Sequence, residues 1–302
     1  MKPTVVVGYD RTPPSERALI EAGREAAWRG ASVTVVHAFH WMPVTAPMTY
    51  VPMSVQRSLT TAAEEAAADA VHTLNHRYPG MKVESAVVAG PAADALTEAS
   101  RDADLLVLGN RGRGGFTGLL LGSVSTRALA FASCPTMIVR GTPRDLLDTI
   151  VLALDAEDPA EELLEFAFAE ASHRDARLRV VNARDLDWGR AARAEQGDAQ
   201  DAGKAEEAEE ADRARAQVLT DVRGALGRLL SPWLTRHPRV RLSTEVADGT
   251  PGAVLTAATT HADLVIVGAH RHADGHPGMR LGPVTQTLLH HADCPVVVVP
   301  RA

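Results

Sequence analysis

Short apolar runs alternate along the whole chain with longer stretches of helical periodicity. Thr4-Val5-Val6-Val7, Val33-Thr34-Val35-Val36, residues 82–88, Leu105-Leu106-Val107-Leu108 and residues 136–140 have the length and branched content of buried strands. Between them, a helix from about Pro13 puts Leu19, Ile20, Gly23, Ala26 and Ala27 on one face, and Gly30 can end it. A second helix carries Leu59, Ala63, Ala66, Ala70 and Leu74 on one side, after a Pro/Met-rich loop at 41–53. Helices at 91–101 and 123–132 complete a β-α-β-α-β-α-β-α-β series. Such alternation predicts a parallel sheet covered on both faces, with ligands bound beyond the carboxyl ends of the strands at the topological switch point. Asp10 and Gly109 both stand at such ends.

The series then repeats. Asp10 matches Asp155 and Val36 matches Val181 at an offset of 145, whereas Gly90 matches Gly249 and Gly109 matches Gly268 at 159, and Cys134 matches Cys294 at 160. Fourteen residues have therefore entered the second copy between Ala183 and Gly249, and one more between Gly268 and Gly282. The larger insertion, about 184–216, holds the low-complexity stretch 191–216, rich in Ala, Glu, Asp, Arg and Gln. That composition suits an exposed helix extension or a mobile loop, with a partner-docking arm as the alternative. The boundary falls near Gly141-Thr142-Pro143, giving domains at 1–143 and 148–302.

A length of 302 residues suffices for two cores. No apolar run reaches the ~18 residues of a membrane span, and the first residues carry no signal-peptide pattern, so a cytoplasmic protein with no membrane association is expected. A net charge of -7 argues against nucleic acid as a partner. Cys134 and Cys294, at equivalent places, read as small buried hydrophobes rather than a disulfide or metal pair.

Candidate chemistry concentrates after the fourth strand. Gly109-Asn110-Arg111-Gly112 is followed after nine residues by Gly122-Ser123-Val124-Ser125, joining a buried strand to a helix N-terminus. Glycines at both ends let the backbone approach a ligand, and Ser123 and Ser125 add hydroxyls to the helix's free first-turn amides, where anions are favoured. There is no Gly-Lys-Ser/Thr of a Walker loop, and no GxGxxG at the first strand-helix turn, where Gly8-Tyr9-Asp10-Arg11-Thr12 stands instead. Nicotinamide cofactors are accordingly disfavoured.

The spacing G-x2-G-x9-G-S resembles the nucleotide loop of the ATP-binding branch of the universal stress protein family. Thr4-Val5-Val6-Val7-Gly8-Tyr9-Asp10 resembles that family's first strand, Val33-Thr34-Val35-Val36-His37-Ala38 its second, and Ser133-Cys134-Pro135 the Cys-Pro entrance to its last. The resemblance implies an α/β fold of two tandem Rossmann-like domains of the adenine nucleotide alpha hydrolase-like kind. Each would be a five-stranded parallel sheet of order 3-2-1-4-5 with helices on both faces. It further implies ATP, with or without Mg, as the ligand of the first domain. Gly109 and Gly112 would shape the loop under ribose and phosphates, and Gly122, Ser123, Val124 and Ser125 would meet the phosphates. Asp10, after Gly8, would accept from the ribose hydroxyls or sit near a cation, and Ala38 and Leu108 would wall the adenine. Arg113 could lie across phosphate charge, with Arg111 a weaker candidate. The plain structural alternative is that Asp10 caps the following turn and the glycines only relieve tight packing.

The second copy departs from this pattern. It reads Gly268-Ala269-His270-Arg271-His272 and then Gly282-Pro283-Val284-Thr285, so the second glycine is Arg271 and the helix-start serine is Pro283, which has neither a hydroxyl nor an N–H. Weak or absent nucleotide binding is expected there. His270, His272 and His276, with His290 and His291 beyond, match no metal-site spacing and read as incidental to a polar loop, so no metal site is assigned.

Residues 109–125 contain no Asp, Glu, His or Lys to orient a hydrolytic water, so no catalytic residue is assigned. A nucleotide-dependent stress regulator acting through unknown protein partners is the expected function. A slow ATPase or phosphotransferase and a nucleotide-free partner-binding module are the alternatives. The apolar last strands at 136–139 and 295–300 would be open sheet edges, which invite pairing. In the family that strand makes the dimer contact, implying an internal pseudo-dimer of the two domains and a possible homodimer of chains.

Overall fold

The computed structural model describes residues 2–39, 53–112, 121–142, 145–186, 201–271 and 278–301. Most of the 41–53 loop, Arg113, Pro143, the first part of the insertion, His272 and His276 lie outside the described residues. The chain divides into two compact units, Met1–Pro143 with Gly268–Ala302, and Arg144–Val267.

In the first unit, β1 (Thr4–Gly8) leads to α1 (Pro13–Arg29), whose start and stop are written in the sequence. Thr12 is the N-cap and closes a capping box with Ser15, Pro13 and Pro14 occupy the first turn, and Gly30 ends the helix in the left-handed region at φ 61°. Then follow β2 (Ser32–Phe39), α2 (Met53–Arg77) and β3 (Val83–Ala89). After them come α3 (Ala92–Ala99) with a short 3₁₀ turn, β4 (Leu105–Gly109), α4 (Ser123–Phe131) and β5 (Thr136–Val139). These strands are all parallel and lie in the order β3-β2-β1-β4-β5, as the resemblance implied. Pairing of β1 with β4, Val5 opposite Leu105 and Val7 opposite Val107, brings the ends carrying Asp10 and Gly109 together at the switch point. Val5, Val7, Leu19, Leu74, Leu105 and Leu106 are fully buried, each worth about 1.5–3 kcal/mol of transfer free energy.

The second unit holds β6 (Thr149–Ala153), α5 (Glu161–Arg174), β7 (Arg177–Arg184), α6 (Asp201–Arg236), β8 (Arg241–Asp248), α7 (Pro251–Thr259) and the start of β9 (Leu264–Arg271). Its parallel order, β8-β7-β6-β9, is the 3-2-1-4 arrangement of the first copy. The insertion feeds into α6, a 36-residue helix whose residues 209–216 are exposed. The remaining elements, β10 (Met279–Arg280), α8 (Pro283–His291) and β11 (Val296–Arg301), belong to the first unit. There β11 runs antiparallel to β5, with Ile138 opposite Val296, Met137 opposite Val297 and Thr136 opposite Val298. All six of these residues are buried, so neither strand leaves the apolar edge that the sequence exposes on paper.

The repeat extends to internal ties. His37 Nδ1 donates to the Tyr9 carbonyl at 2.9 Å, and Asn182 Nδ2 donates to the Leu154 carbonyl at 2.9 Å, the same strand-to-strand bond 145 residues on. Buried i,i+4 pairs Arg29–Glu25 and Arg174–Glu170 are related by the same offset. Cys134 and Cys294 are free and buried. Burial pushes the Cys134 thiol up to about 12.

Candidate functional site

The crevice above β1 and β4 is assembled from backbone outward. Asp10 Oδ1 accepts from the Thr12 amide at 3.1 Å and the Thr12 hydroxyl at 2.5 Å, while the Asp10 amide donates to Ser15 Oγ at 3.2 Å. One carboxylate oxygen thus holds the start of α1. The other faces the loop: a Cβ on Gly112 would lie 2.8 Å from Asp10 Oδ2. A side chain there would collide with the carboxylate, so glycine lets the loop pass close to that oxygen.

Gly109 is required for a related reason. A Cβ there would lie 2.8 Å from the Pro14 carbonyl carbon and oxygen, backbone atoms that cannot swing away. The loop is then closed by two bonds. The Gly122 amide donates to the Asn110 carbonyl at 2.8 Å, and Ser125 Oγ donates to the Gly109 carbonyl at 2.7 Å. Ser125 is buried, so its hydroxyl bolts α4 to the end of β4, whereas Ser123 and Val124 are exposed at the helix start. Gly122 is the N-cap of α4 and supplies no side-chain bond to the first-turn amides.

Gly8 ends β1 beneath this crevice, where a Cβ would lie 2.8 Å from Leu108 Cδ2 and 3.1 Å from Leu96. Leu108 is buried and Ala38 is half-buried at the end of β2. Asp10, Gly109, Gly112 and Gly122 are therefore brought together, Gly8 and Leu108 pack directly below, and Ala38 lies one strand away from β1. Arg113 is outside the described residues.

Asn110 and His37 are two contributors that sequence reasoning did not single out, and Arg111 was named there only as a weaker phosphate candidate. Asn110 Oδ1 and Arg111 Nε are buried with no hydrogen-bond partner among the described residues. A buried polar atom without a partner costs about 1–3 kcal/mol, which a ligand or water can recover. His37, fixed to the Tyr9 carbonyl next to Asp10, is the other. The signal for it was the His37/Asn182 correspondence between the copies. Tyr9 itself donates to Glu16, and burial followed by that carboxylate raises its pKa above the ordinary tyrosine range.

The second copy keeps the bolts and loses the cradle. The Glu157 amide donates to Asp155 Oδ1 at 3.0 Å and Thr285 Oγ1 donates to the Gly268 carbonyl at 3.4 Å, repeating the Thr12 and Ser125 contacts. Arg184, however, reaches Glu157 at 2.7 Å and Asp155 at 3.7 Å, so the second aspartate already faces a cation. Where the first copy has its glycine loop, the second has an antiparallel pair, Arg271 opposite Met279 and His270 opposite Arg280. Gly278, at φ 110°, lies against the Ala130 carbonyl and the Phe131 ring of α4, Met279 is buried, and Arg271 donates to the Ser133 carbonyl at 3.2 Å. His270 meets Arg301, and His290 and His291 lie at the end of α8.

The likeness to known proteins agrees with this architecture. The profile described as the universal stress protein family matches residues 1–140 and 147–300. A universal stress protein of Mycolicibacterium smegmatis (strain ATCC 700084 / mc(2)155) is 30% identical over 302 residues, covering 98% of this chain and 96% of that one. One of Mycobacterium tuberculosis (strain ATCC 25618 / H37Rv) is 29% identical over 305 residues, covering 97% and 96%. In fold, the chain is similar to the crystal structure of a universal stress protein from Archaeoglobus fulgidus DSM 4304, with a TM-score of 0.66 at 19% identity over 99% of this chain and 98% of that one. Among the described residues no helix is long and apolar enough to cross a membrane. With both repeats matched by the profile and the first repeat carrying the strand order and glycine loop described above, the chain belongs to the universal stress protein family.

Proposed function

We propose that the first repeat binds ATP, accompanied by Mg²⁺, and that occupancy changes how this cytoplasmic protein engages other proteins under stress. In this reading the phosphates lie on the amides that open α4, where Gly122 permits close approach and Ser123 and Val124 present the helix start. Gly109 and Gly112 let the ribose lie against the loop, and the Asp10 oxygen beside Gly112 accepts from its hydroxyls. Ala38 and Leu108 border the adenine, with Gly8 leaving room below, and Arg113 lies across phosphate charge. Ser125 holds the loop closed instead of donating to the ligand. Mg²⁺ would screen phosphate charge on the solvent side, since residues 109–125 offer no carboxylate for it. The same lack of a base favours binding without turnover.

The observation that carries the reading is the pairing of a helix N-terminus without a side-chain cap with Asn110 Oδ1 and Arg111 Nε, both buried and without a hydrogen-bond partner among the described residues. Calorimetric titration of nucleotide-stripped protein with ATP and Mg²⁺ tests it. One site per chain, abolished by Gly122→Asp, is the expected result, because a carboxylate at the helix start repels phosphate. No binding at millimolar ATP would overturn it. Two sites, both surviving in a variant in which the basic groove described below is neutralised, would contradict the reading of Arg184, Arg271 and Pro283 as closing the second cradle.

A further inference from the structure

The two repeats serve as controls for each other, and they differ in charge along one groove. In the second unit a groove of about 420 Å³ is lined by Thr149, Arg177, Arg179, Ser243, Thr244 and Glu245, with His261 at its edge. Strand register fixes the equivalent positions in the first repeat. Thr149 opposite Arg177 matches Thr4 opposite Ser32, and Arg179 opposite Ser243 matches Thr34 opposite Glu84. By the same offsets Thr244, Glu245 and His261 stand for Ser85, Ala86 and Asp102. The first repeat thus has two acids and no cation in this set, whereas the second has two arginines, one glutamate and a histidine. The sign of the face has reversed within a chain whose net charge is -7.

Part of the new charge is spent internally. Arg179 Nε donates to Glu245 Oε2 at 2.9 Å, and both residues are partly exposed. Arg177 is exposed two residues earlier on the same strand face, and no bond from its guanidinium to another side chain is seen among the described residues. Beside it, in register, stands Arg241, whose Nη2 donates to the Asp175 carbonyl at 2.7 Å. The nearby Asp263 carboxylate is committed to the amides of Leu147 and Thr149. A planar guanidinium fork at the mouth of a polar groove, with the Ser243 hydroxyl opposite Arg179 on the same face of the adjacent strand, is a chemistry suited to phosphate oxygens.

We infer that this groove is an anion site of the second repeat, taking a phosphate- or pyrophosphate-bearing small molecule. It is separate from the α4 cradle and does not depend on nucleotide binding there. Arg177 makes the forked contact, Arg179 is held in place by Glu245, and the Ser243 hydroxyl of β8 completes the oxygen shell.

Titration of the full chain with inorganic pyrophosphate and, in parallel, with AMP tests it, with the His261 imidazole followed by NMR. Pyrophosphate is expected to bind and to shift the His261 ring signals. The triple variant Arg177→Ser, Arg179→Thr, Glu245→Ala installs the first repeat's own residues and is expected to weaken pyrophosphate binding by about tenfold or more while leaving the ATP isotherm of the first repeat intact. Gly122→Asp is expected to do the reverse, which separates failure of this site from failure of the cradle. The single exposed change Arg177→Gln gives the same loss without disturbing the Arg179–Glu245 pair. AMP binding as tight as pyrophosphate, with the same His261 shifts and the same loss in the triple variant, would identify phosphorylated metabolites as the ligands, and pyrophosphate alone would identify the free anion. Absence of binding by either at millimolar concentration, or pyrophosphate binding unchanged in the triple variant, would overturn the proposal.

Discussion

At the scale of single residues, glycines divide into those that only bend the chain and those that also admit a neighbour. Gly141 is of the second kind: φ is 76°, and a Cβ would lie 2.1 Å from the Asp293 carbonyl oxygen. Gly141→Ala therefore combines left-handed strain with a backbone collision and should cost at least about 2 kcal/mol in urea unfolding. Gly80, at φ 87° with nothing within 4 Å, is its control, and Gly80→Ala should cost only about 1 kcal/mol. Equal losses for the two would mean that the Asp293 contact relaxes freely. Cys134 gives a second test. Its pKa, raised from 9.0 to about 12 by burial, means the folded chain holds a neutral thiol where the unfolded chain would ionise. The raised folded-state pKa contributes stability that is complete below the unfolded value and is lost as pH rises from 9.0 toward 12. At pH 8 iodoacetamide should leave Cys134 unlabelled in native protein and label it after denaturation, as mass spectrometry would register.

Elements were legible from sequence wherever local rules decided them. The proline start and the Gly30 stop of α1 were readable because they act within a turn, and the buried strands because their apolar runs are continuous, whereas the Thr12 cap emerged only from the structure. What each hydroxyl does was not readable. Ser123 and Ser125 look alike in sequence, but helix geometry turns the third residue of α4 back onto the Gly109 carbonyl and leaves the first outside. The difference can be measured. Ser125→Ala leaves a buried carbonyl unsatisfied, costs about 1–3 kcal/mol and slackens the loop, so stability and ATP affinity should fall together. Thr285→Ala removes the longer 3.4 Å equivalent in the second copy and should leave the ATP isotherm unchanged. If Thr285→Ala weakens ATP binding equally, the bolt acts through general stability rather than through the cradle. The antiparallel β9–β10 pair was also hidden from sequence, because it replaces a glycine loop with contacts to residues about 140 positions away.

The whole molecule follows from strands that need covering. Offsets between the copies revealed the repeat, and the family resemblance supplied the order 3-2-1-4-5, which periodicity alone does not determine. The compact units nevertheless cut across the repeats, since residues 268–302 group with the first repeat. The physical reason lies in β5, a four-residue buried strand that has β4 on one side and requires a partner on the other. β11 meets that need with Val297 opposite Met137, both fully buried, and Arg140 reinforces the union by donating to the Leu288 and His290 carbonyls that close α8. Val297→Asp would bury a carboxylate with no cation on the paired strand, a change of about 3 kcal/mol or more. If β11 is integral to the first repeat's stability, the variant should lower the unfolding midpoint of the whole chain. Light scattering should then detect chain-to-chain association as the freed β5 edge finds another copy. A first repeat that keeps its midpoint and stays monomeric in this variant would mean that β5 is stable as an open edge, and the expectation of an internal pseudo-dimer would lose its basis.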